Sequence, residues 1–471
     1  MRRPGATGMS RLVIVSNRVP VPAERDARAG GLTVALADAL GPGTLWFGWS
    51  GRRTARAGAA SAVAQVEAQG ITYATIDLSE TEYRLFYAGY SNGVLWPLLH
   101  FRLGLVHYRA EEYQAWQAVN HRFADALAPL LRPDDLIWVH DYHLAPLGEA
   151  LRARGVTARI GFFLHTPFVP PEVLRALPRA EQLLASLCAY DVVGFHTAGF
   201  RAGFLRGVTE ILGLVPEADG RILFGGRRVE AIVDPIGIDA GGFAATAEQA
   251  WGGTEVRRLR GSLAGRTLAI GVDRLDYSKG LVQRLDAFGR LLARHPEHRR
   301  RVSFLQVAAR SREDVSDYRD LRNELDRMVG ETIGQYSEFD WVPLRYMTRP
   351  LRRRTLAGFY RVARMAVVTP LRDGMNLVAK EYVAAQDPAD PGVLILSCFA
   401  GAAEDLTDAL IVNPFDADEI AAAMHSALSM RLEERQARHE RLAARVWHND
   451  AQRFSRVFLD HLRGSAATAA K

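Results

Sequence analysis

The stretch DRLDYSKGL, residues 273–281, puts Arg274 and Lys279 in one loop with Gly280. A guanidinium offers a planar fork and an ammonium a compact point charge; both stay protonated at neutral pH, so together they suit a pyrophosphate. An Arg–Asp pair that only steadies the loop is the structural alternative. The chain has 59 Lys and Arg residues, and only three are Lys: Lys279, Lys380 and Lys471. Lys380 lies in a second stretch, TPLRDGMNLVAKEYVAAQ (369–386), where Asp373-Gly374-Met375-Asn376 turn into a helix carrying Lys380 and Glu381. Successive N–H groups at such a helix start bind phosphate, and a Glu farther along suits a ribose hydroxyl pair. An Asp N-cap followed by a solvated face explains the same residues without a ligand.

A third stretch, SNRVP followed by RAGGLTV, ends a strand at Asn17-Arg18 and opens a helix at Gly30-Gly31. Two glycines there expose N–H groups and let an anion approach, although a plain glycine helix start reads the same. The pattern is not GxGxxG, so a nicotinamide cofactor is not indicated. Asp141, His143 and His165, in VHDYHLAP and FFLHTPF, stand at strand ends. Their spacing matches no zinc signature and HExxH is absent, so no protein-bound catalytic metal is expected. Neither GxSxG nor a Walker motif occurs. Trp46, Trp49, Tyr87 and Trp96 offer flat faces that suit sugar rings, and core packing is the alternative. SNGVLWPLLH (91–100) follows neither strand nor helix periodicity and is read as a loop presenting Trp96.

The elements that must position these groups alternate along the chain. Short apolar, β-branched runs at 11–17, 135–141, 159–166, 191–197 and 229–238 are separated mostly by helical patterns. A second set covers TLAIGVDRL, 302–309, 365–371, 392–399 and 409–415. Continuous apolar strands between amphipathic helices predict α/β architecture: two Rossmann-like, doubly wound domains with parallel sheets covered on both faces. At 471 residues, two domains also suit the length. The Gly/Ala-rich stretch 239–256 marks the boundary, giving domains 1–240 and 241–446. Ligands of such sheets bind at the carboxyl ends of the strands, where the polar residues above fall, so an interdomain cleft holding a phosphorylated ligand is expected.

The net charge of +6 comes from scattered arginines interleaved with acids, which argues against nucleic acid. Two cysteines, Cys188 and Cys398, form no CxxC, and a reduced, cytoplasmic setting is expected. The N-terminus lacks the apolar core of a signal peptide, and Met9 competes with Met1 as the start. No apolar run approaches the roughly 20 residues of a membrane span.

The motifs VIVSNRVP, GGL, LWFGWSG, YSNGVLWPLLH, WVHDYHL, GFFLHTPFV, DRLDYSKG and TPLRDGMNLVAKEYVAAQ occur in this order. Through them the chain resembles the trehalose-6-phosphate synthase family, the retaining glucosyltransferases of glycosyltransferase family 20, from Arg11 to about Leu462. The resemblance implies a GT-B fold, with a C-terminal helix at about 447–471 crossing back to the N-terminal domain. It implies an N-terminal acceptor-binding domain and a C-terminal nucleotide-sugar-binding domain. The implied reaction is glucose transfer from UDP-glucose to glucose 6-phosphate, yielding α,α-trehalose 6-phosphate. It implies Arg274, Lys279, Asp373 and His165 as catalytic residues. Donor contacts are implied for Gly30, Gly31, Arg274, Lys279, Leu351, Asp373, Leu377, Val378, Ala379, Lys380 and Glu381. Acceptor contacts are implied for Arg18, Tyr87, Trp96, Asp141 and Arg312. No cofactor and no bound metal are implied, since the nucleotide sugar is a substrate. Implied partners are these small molecules, further copies of the chain in a dimer or tetramer, and a separate phosphatase, with no nucleic acid and no membrane; osmoprotection is the implied physiological setting. Arg310, in Ala309-Arg310-Ser311-Arg312, departs from the family pattern and bears on acceptor choice. A glucosylglycerol-phosphate synthase using ADP-glucose and glycerol 3-phosphate is the alternative activity. A pseudo-glycosyltransferase and a non-catalytic sensor fit less well, because the acceptor residues and Arg274, Lys279 and Asp373 are intact.

Overall fold

The computed structural model describes residues 10–19, 36, 40–55, 63–310 and 316–464. Gly30, Gly31 and Arg312, and the helix expected over 30–40 apart from Leu36 and Leu40, lie outside the described residues. The chain divides into two compact units, Met1–Pro235 with Phe454–Lys471, and Ile236–Arg453. The composition shift at 239–256 marks this division a few residues late.

The first unit carries β1 (Leu12–Arg18), β2 (Leu45–Thr54), β3 (Ala64–Ala68), β4 (Ile71–Ser79), β5 (Leu136–His140), β6 (Arg159–Phe163), β7 (Val192–Phe195), β8 (Arg221–Phe224) and β9 (Arg227–Val233). They form one sheet in the order β3-β4-β2-β1-β5-β6-β7-β9-β8. Its interior pairs are parallel, and Val13, Ile14, Val15, Ile137, Trp138 and Val139 are fully buried. That is why these strands read as unbroken apolar runs. The two edges depart from the all-parallel expectation: β3 and β8 pair antiparallel with their neighbours. β3, Ala-Gln-Val-Glu-Ala, is exposed on both faces and so shows no apolar run.

The final helix, Ala451–Arg463, buries Phe454, Phe458 and Leu462, one residue per turn on one face. Phe458 stacks on Trp138 at 4.5 Å between centroids. A Cβ at Gly161 would lie 2.7 Å from the Phe458 ring, so glycine is what lets this helix lie on the sheet. Each buried Phe is worth roughly 1.5–3 kcal/mol of apolar transfer.

The second unit carries β10 (Thr267–Arg274), β11 (Val302–Ala309), β12 (Leu344–Met347), β13 (Met365–Val368), β14 (Val393–Ser397) and β15 (Leu410–Val412). Their order is β12-β11-β10-β13-β14-β15, and all pairs are parallel. Counted from β10 this is 3-2-1-4-5-6, the dinucleotide-fold order, and the strand order reverses between β10 and β13. In the first unit the corresponding reversal falls between β1 and β5. Helices α1 (Leu281–Arg294), α2 (Leu377–Ala385) and α3 (Ala417–Ser429) belong to the second unit. Leu285, Phe288, Leu292 and Ile420 are fully buried in its core, with Ile395 of β14 and Phe304 of β11. No helix among the described residues is long and apolar enough to cross a membrane.

Candidate active site

In the second unit, the loops leaving β10 and β13 meet at the switch point. The amide of Leu371 donates to the Ser278 carbonyl at 2.7 Å, joining them. Gly280, at φ +62°, starts α1, and a Cβ there would lie 2.0 Å from the Thr369 carbonyl oxygen. Only glycine allows this approach. The buried Asp276 accepts from the Ser278 amide at 3.0 Å and its hydroxyl at 2.8 Å, and Tyr318 donates to it at 3.3 Å.

Under the loops lies Arg284, fully buried. Its guanidinium donates to Asp273 at 2.8 Å, Thr369 at 3.1 Å, Gln306 at 3.2 Å and the Lys279 carbonyl at 3.3 Å. Burial pushes the Asp273 carboxyl above its ordinary range, and Arg284 and Lys279 oppose that. Lys279 Nζ sits 2.5 Å from Asp373 Oδ2, and Asn376 Nδ2 donates to the same oxygen at 3.0 Å. An ammonium has three N–H donors, so Lys279 can hold Asp373 and a phosphate oxygen together. Arg274 ends β10 with its side chain half exposed, and its guanidinium lies 3.9 Å from Asp276.

Asn376 caps α2 in a left-handed conformation, φ +76°, and its side chain accepts from the Ala379 amide at 3.3 Å. The helix start thus presents Leu377 and Val378, both partly exposed, while the expected amide of Ala379 is taken by the cap. Burial pushes Glu381 up to about 7, with Arg353 opposing. The sequence leaves Lys380 open between a ligand and a structural partner of the helix, and the contacts of its side chain are structural. Lys380 is fully buried, and its Nζ donates to the Ile236 carbonyl at 3.0 Å with Asp405 at 3.4 Å. On α2 it falls on the inward face, and its ammonium is consumed by structure. Leu351, partly buried, follows β12, two strands from the switch point.

In the first unit, Arg18 ends β1 and is exposed; its guanidinium lies over Gly51, where a Cβ would come within 2.8 Å. Asp141 follows β5 at φ +74°, ψ 161°. That region is nearly glycine-only, costs of order 1–3 kcal/mol, and in folded proteins collects at functional sites. Asp141 Oδ1 accepts from the His165 amide at 3.2 Å. His165, after β6, contacts His140 Nδ1 through its Nε2 at 3.0 Å. Burial pushes His165 down to about 3, even though part of the residue reaches solvent; burial, with His165 beside it, also holds His140 well below its ordinary value. Both rings are neutral in the physiological range.

Tyr87 stacks on His143 at 5.6 Å and 9°, and packs beside Trp49 at 5.9 Å. The segment expected to be a loop is helical. Tyr83–Leu95 is a π-helix, and the Trp96 amide donates to Ser91, five residues back. Trp96 then begins a helical turn, is 6% exposed, and packs at 4.0 Å against His100. The i→i+5 spacing matches neither period used to read sequence, which is why the segment looked irregular. Sequence reasoning passed over Arg284, His140 and Asn376. The last stands inside RDGMN, whereas nothing in the sequence separates Arg284 from other helical arginines.

Comparison with known proteins adds to this geometry. A family model described as Glycosyltransferase family 20 matches residues 10–464. A trehalose-6-phosphate synthase of Sinorhizobium fredii is 47% identical over 466 residues, covering 97% of this chain and 99% of the relative. An α,α-trehalose-phosphate synthase (UDP-forming) of Burkholderia xenovorans, solved in complex with glucose 6-phosphate, superposes with a TM-score of 0.93 at 44% identity, covering 97% of this chain and all of that one. An Escherichia coli structure with bound UDP-2-fluoro glucose gives 0.91 at 43% identity, covering 96% and 99%.

Proposed function

The chain belongs to glycosyltransferase family 20, and from that premise we propose that it transfers glucose from UDP-glucose to glucose 6-phosphate, releasing α,α-trehalose 6-phosphate and UDP. The observation that carries this reading is the convergence of Arg274, Lys279, Asp373 and the amino end of α2 at one switch point.

In this reading the second unit holds the donor. Arg274 and Lys279 bind the diphosphate, Asp373 the glucosyl group, Leu377 and Val378 a phosphate through their amides, and Glu381 the ribose; Gly30, Gly31 and Leu351 complete the donor contacts. The first unit takes the acceptor through Arg18, Tyr87, Trp96, Asp141 and Arg312. The bond from donor C1 to the phosphate oxygen breaks, and its electron pair leaves with UDP. The acceptor hydroxyl attacks C1 from the same face and gives its proton to that departing oxygen, so configuration is retained. Negative charge builds on the diphosphate and positive charge on the sugar. Fixed cations answer the first in a site that need not reorganise. A neutral His165 under the sugar can bond a hydroxyl without repelling the oxocarbenium-like centre; an imidazolium would repel it. No step is assigned to a metal.

As part of the same proposal, the enzyme works in the cytoplasm as a dimer or tetramer, in trehalose synthesis for osmoprotection, and a separate phosphatase consumes its product. None of the relatives described above is named for glucosylglycerol phosphate, and that alternative is set aside. The test is a matrix of UDP-, ADP- and GDP-glucose against glucose 6-phosphate and glycerol 3-phosphate, with product identification. Trehalose 6-phosphate from UDP-glucose is expected, and turnover with glycerol 3-phosphate alone overturns the reading.

A further inference from the structure

A second chemically competent cluster lies at the other end of α1. This helix begins beside Lys279 and runs 14 residues, roughly 21 Å at 1.5 Å per residue. It stops at His295, and the chain turns through Pro296–His298. The sequence there is His-Pro-Glu-His, and His425 of α3 comes to meet it. Three of the chain's 13 histidines therefore gather around one carboxylate.

The ring of His425 stacks on that of His295 at 3.8 Å and 16°. Glu297 Oε1 lies 3.2 Å from His295 Nδ1 and 3.8 Å from His425 Nδ1. Ligand atoms of His295, Glu297 and His425 all fall within 4.8 Å of one another. Metal–ligand bonds of 2.0–2.1 Å in a tetrahedron put the ligand atoms about 3.3 Å apart, so the spacing already approaches that of a bound ion. His298 brings a further imidazole, its Nε2 2.9 Å from His425 Nδ1. Neighbouring arginines do not compete for the carboxylate: Arg290 and Arg294 pair with Asp418.

We propose that His295, Glu297 and His425 bind one divalent transition-metal ion of the zinc or nickel class, with His298 beside them as a further donor. Imidazole with one carboxylate suits such borderline ions better than magnesium or calcium, which prefer all-oxygen sets. The ion pins the carboxyl end of α1 to α3, within a unit whose catalytic loops lie at the helix's other end. Its role is structural, and it enters no step of glucosyl transfer.

The test uses full-length, tag-free protein stripped with a chelator and titrated calorimetrically with zinc and, separately, nickel chloride. Saturable binding of about one ion per chain and a raised thermal midpoint are expected, with glucosyl transfer unchanged between stripped and loaded protein. Binding requires deprotonated imidazoles, so it should weaken as pH falls. His425→Ala should weaken binding by at least about tenfold, and the near-isosteric Glu297→Gln should weaken it while leaving the stripped protein's midpoint in place. Failure to saturate with either metal overturns the proposal. So does binding of equal affinity in both variants, which would put the ion elsewhere.

Discussion

Around the switch point of the first unit the polar groups include the rings of His140, His165 and the Tyr87–His143 stack, with one strained carboxylate, Asp141; burial keeps His140 and His165 neutral. Around that of the second unit they are full charges in pairs: Lys279 with Asp373, Arg284 with Asp273. Under the proposed function, the same strand order serves two kinds of recognition. A sugar presents hydroxyls, which need direction more than charge, and neutral rings and a fixed carboxylate give direction at little desolvation cost. A diphosphate presents charge that grows during the reaction, and only cations held in place answer it. Buried cations are tolerated because each has its own carboxylate.

Breaking a pair should expose the difference most strongly. Arg284→Ala leaves Asp273 buried and unpaired, and removing one partner of such a pair costs about 3–5 kcal/mol. Chemical denaturation followed by a probe in the second unit should show a loss of that size. A loss below about 1 kcal/mol would mean that Gln306, Thr369 and water replace the guanidinium.

The two interior lysines sharpen the comparison further. Lys279→Ala should lower kcat together with kcat/KM by about 10²–10³-fold, as for other fixed donors to a developing anion; unchanged kcat at saturating donor would count against that role. Lys279→Arg keeps the charge but places a larger planar group in the narrow space beside Asp373, so it should not restore turnover. Lys380→Met should instead destabilise the second unit by about 1–3 kcal/mol and leave the donor KM unchanged, because its ammonium serves Ile236 and Asp405.

The smallest effect is in pH dependence. Burial pushes Glu381 up to about 7 and His165 down to about 3. A ribose diol donates to the carboxylate form, so kcat/KM for the donor should rise severalfold through pH 7. Glu381→Gln should flatten that rise, and no inflection from His165 should appear above pH 5. Stability runs the other way for the same glutamate. Its folded pKa lies above the unfolded value near 4.3, so its contribution is greatest below that value and is lost as pH rises through about 7. For His165 the folded value is depressed, so stability is lost as pH falls from about 6.5 towards 3. An unchanged profile in Glu381→Gln would show the titration to belong to another group.

Local composition determined much of this protein. β1, β5, β10 and β13 are legible because strands buried on both faces must be apolar throughout; Arg274 ends one such run, Asp141 follows another directly, and Asp373 lies in the loop after a third. β3 and β12 were not legible, since edge strands face water and carry mixed residues. Trp96 was misread because a π-helix obeys neither expected period. The loop around Lys279 points to a phosphate ligand, whereas for Lys380 the sequence leaves a ligand and a structural partner equally open. Both are lysines in ligand-like motifs, and only the folded chain shows that one ammonium meets Asp373 at the switch point while the other is sealed beneath α2. Sequence specifies which groups can carry charge. Which of them still have donors to offer a ligand is decided by long-range partners, 94 residues away for Lys279 and 144 for Lys380. The union of His295 and Glu297 with His425 is likewise a product of helix packing, which brings together residues that no local pattern connects.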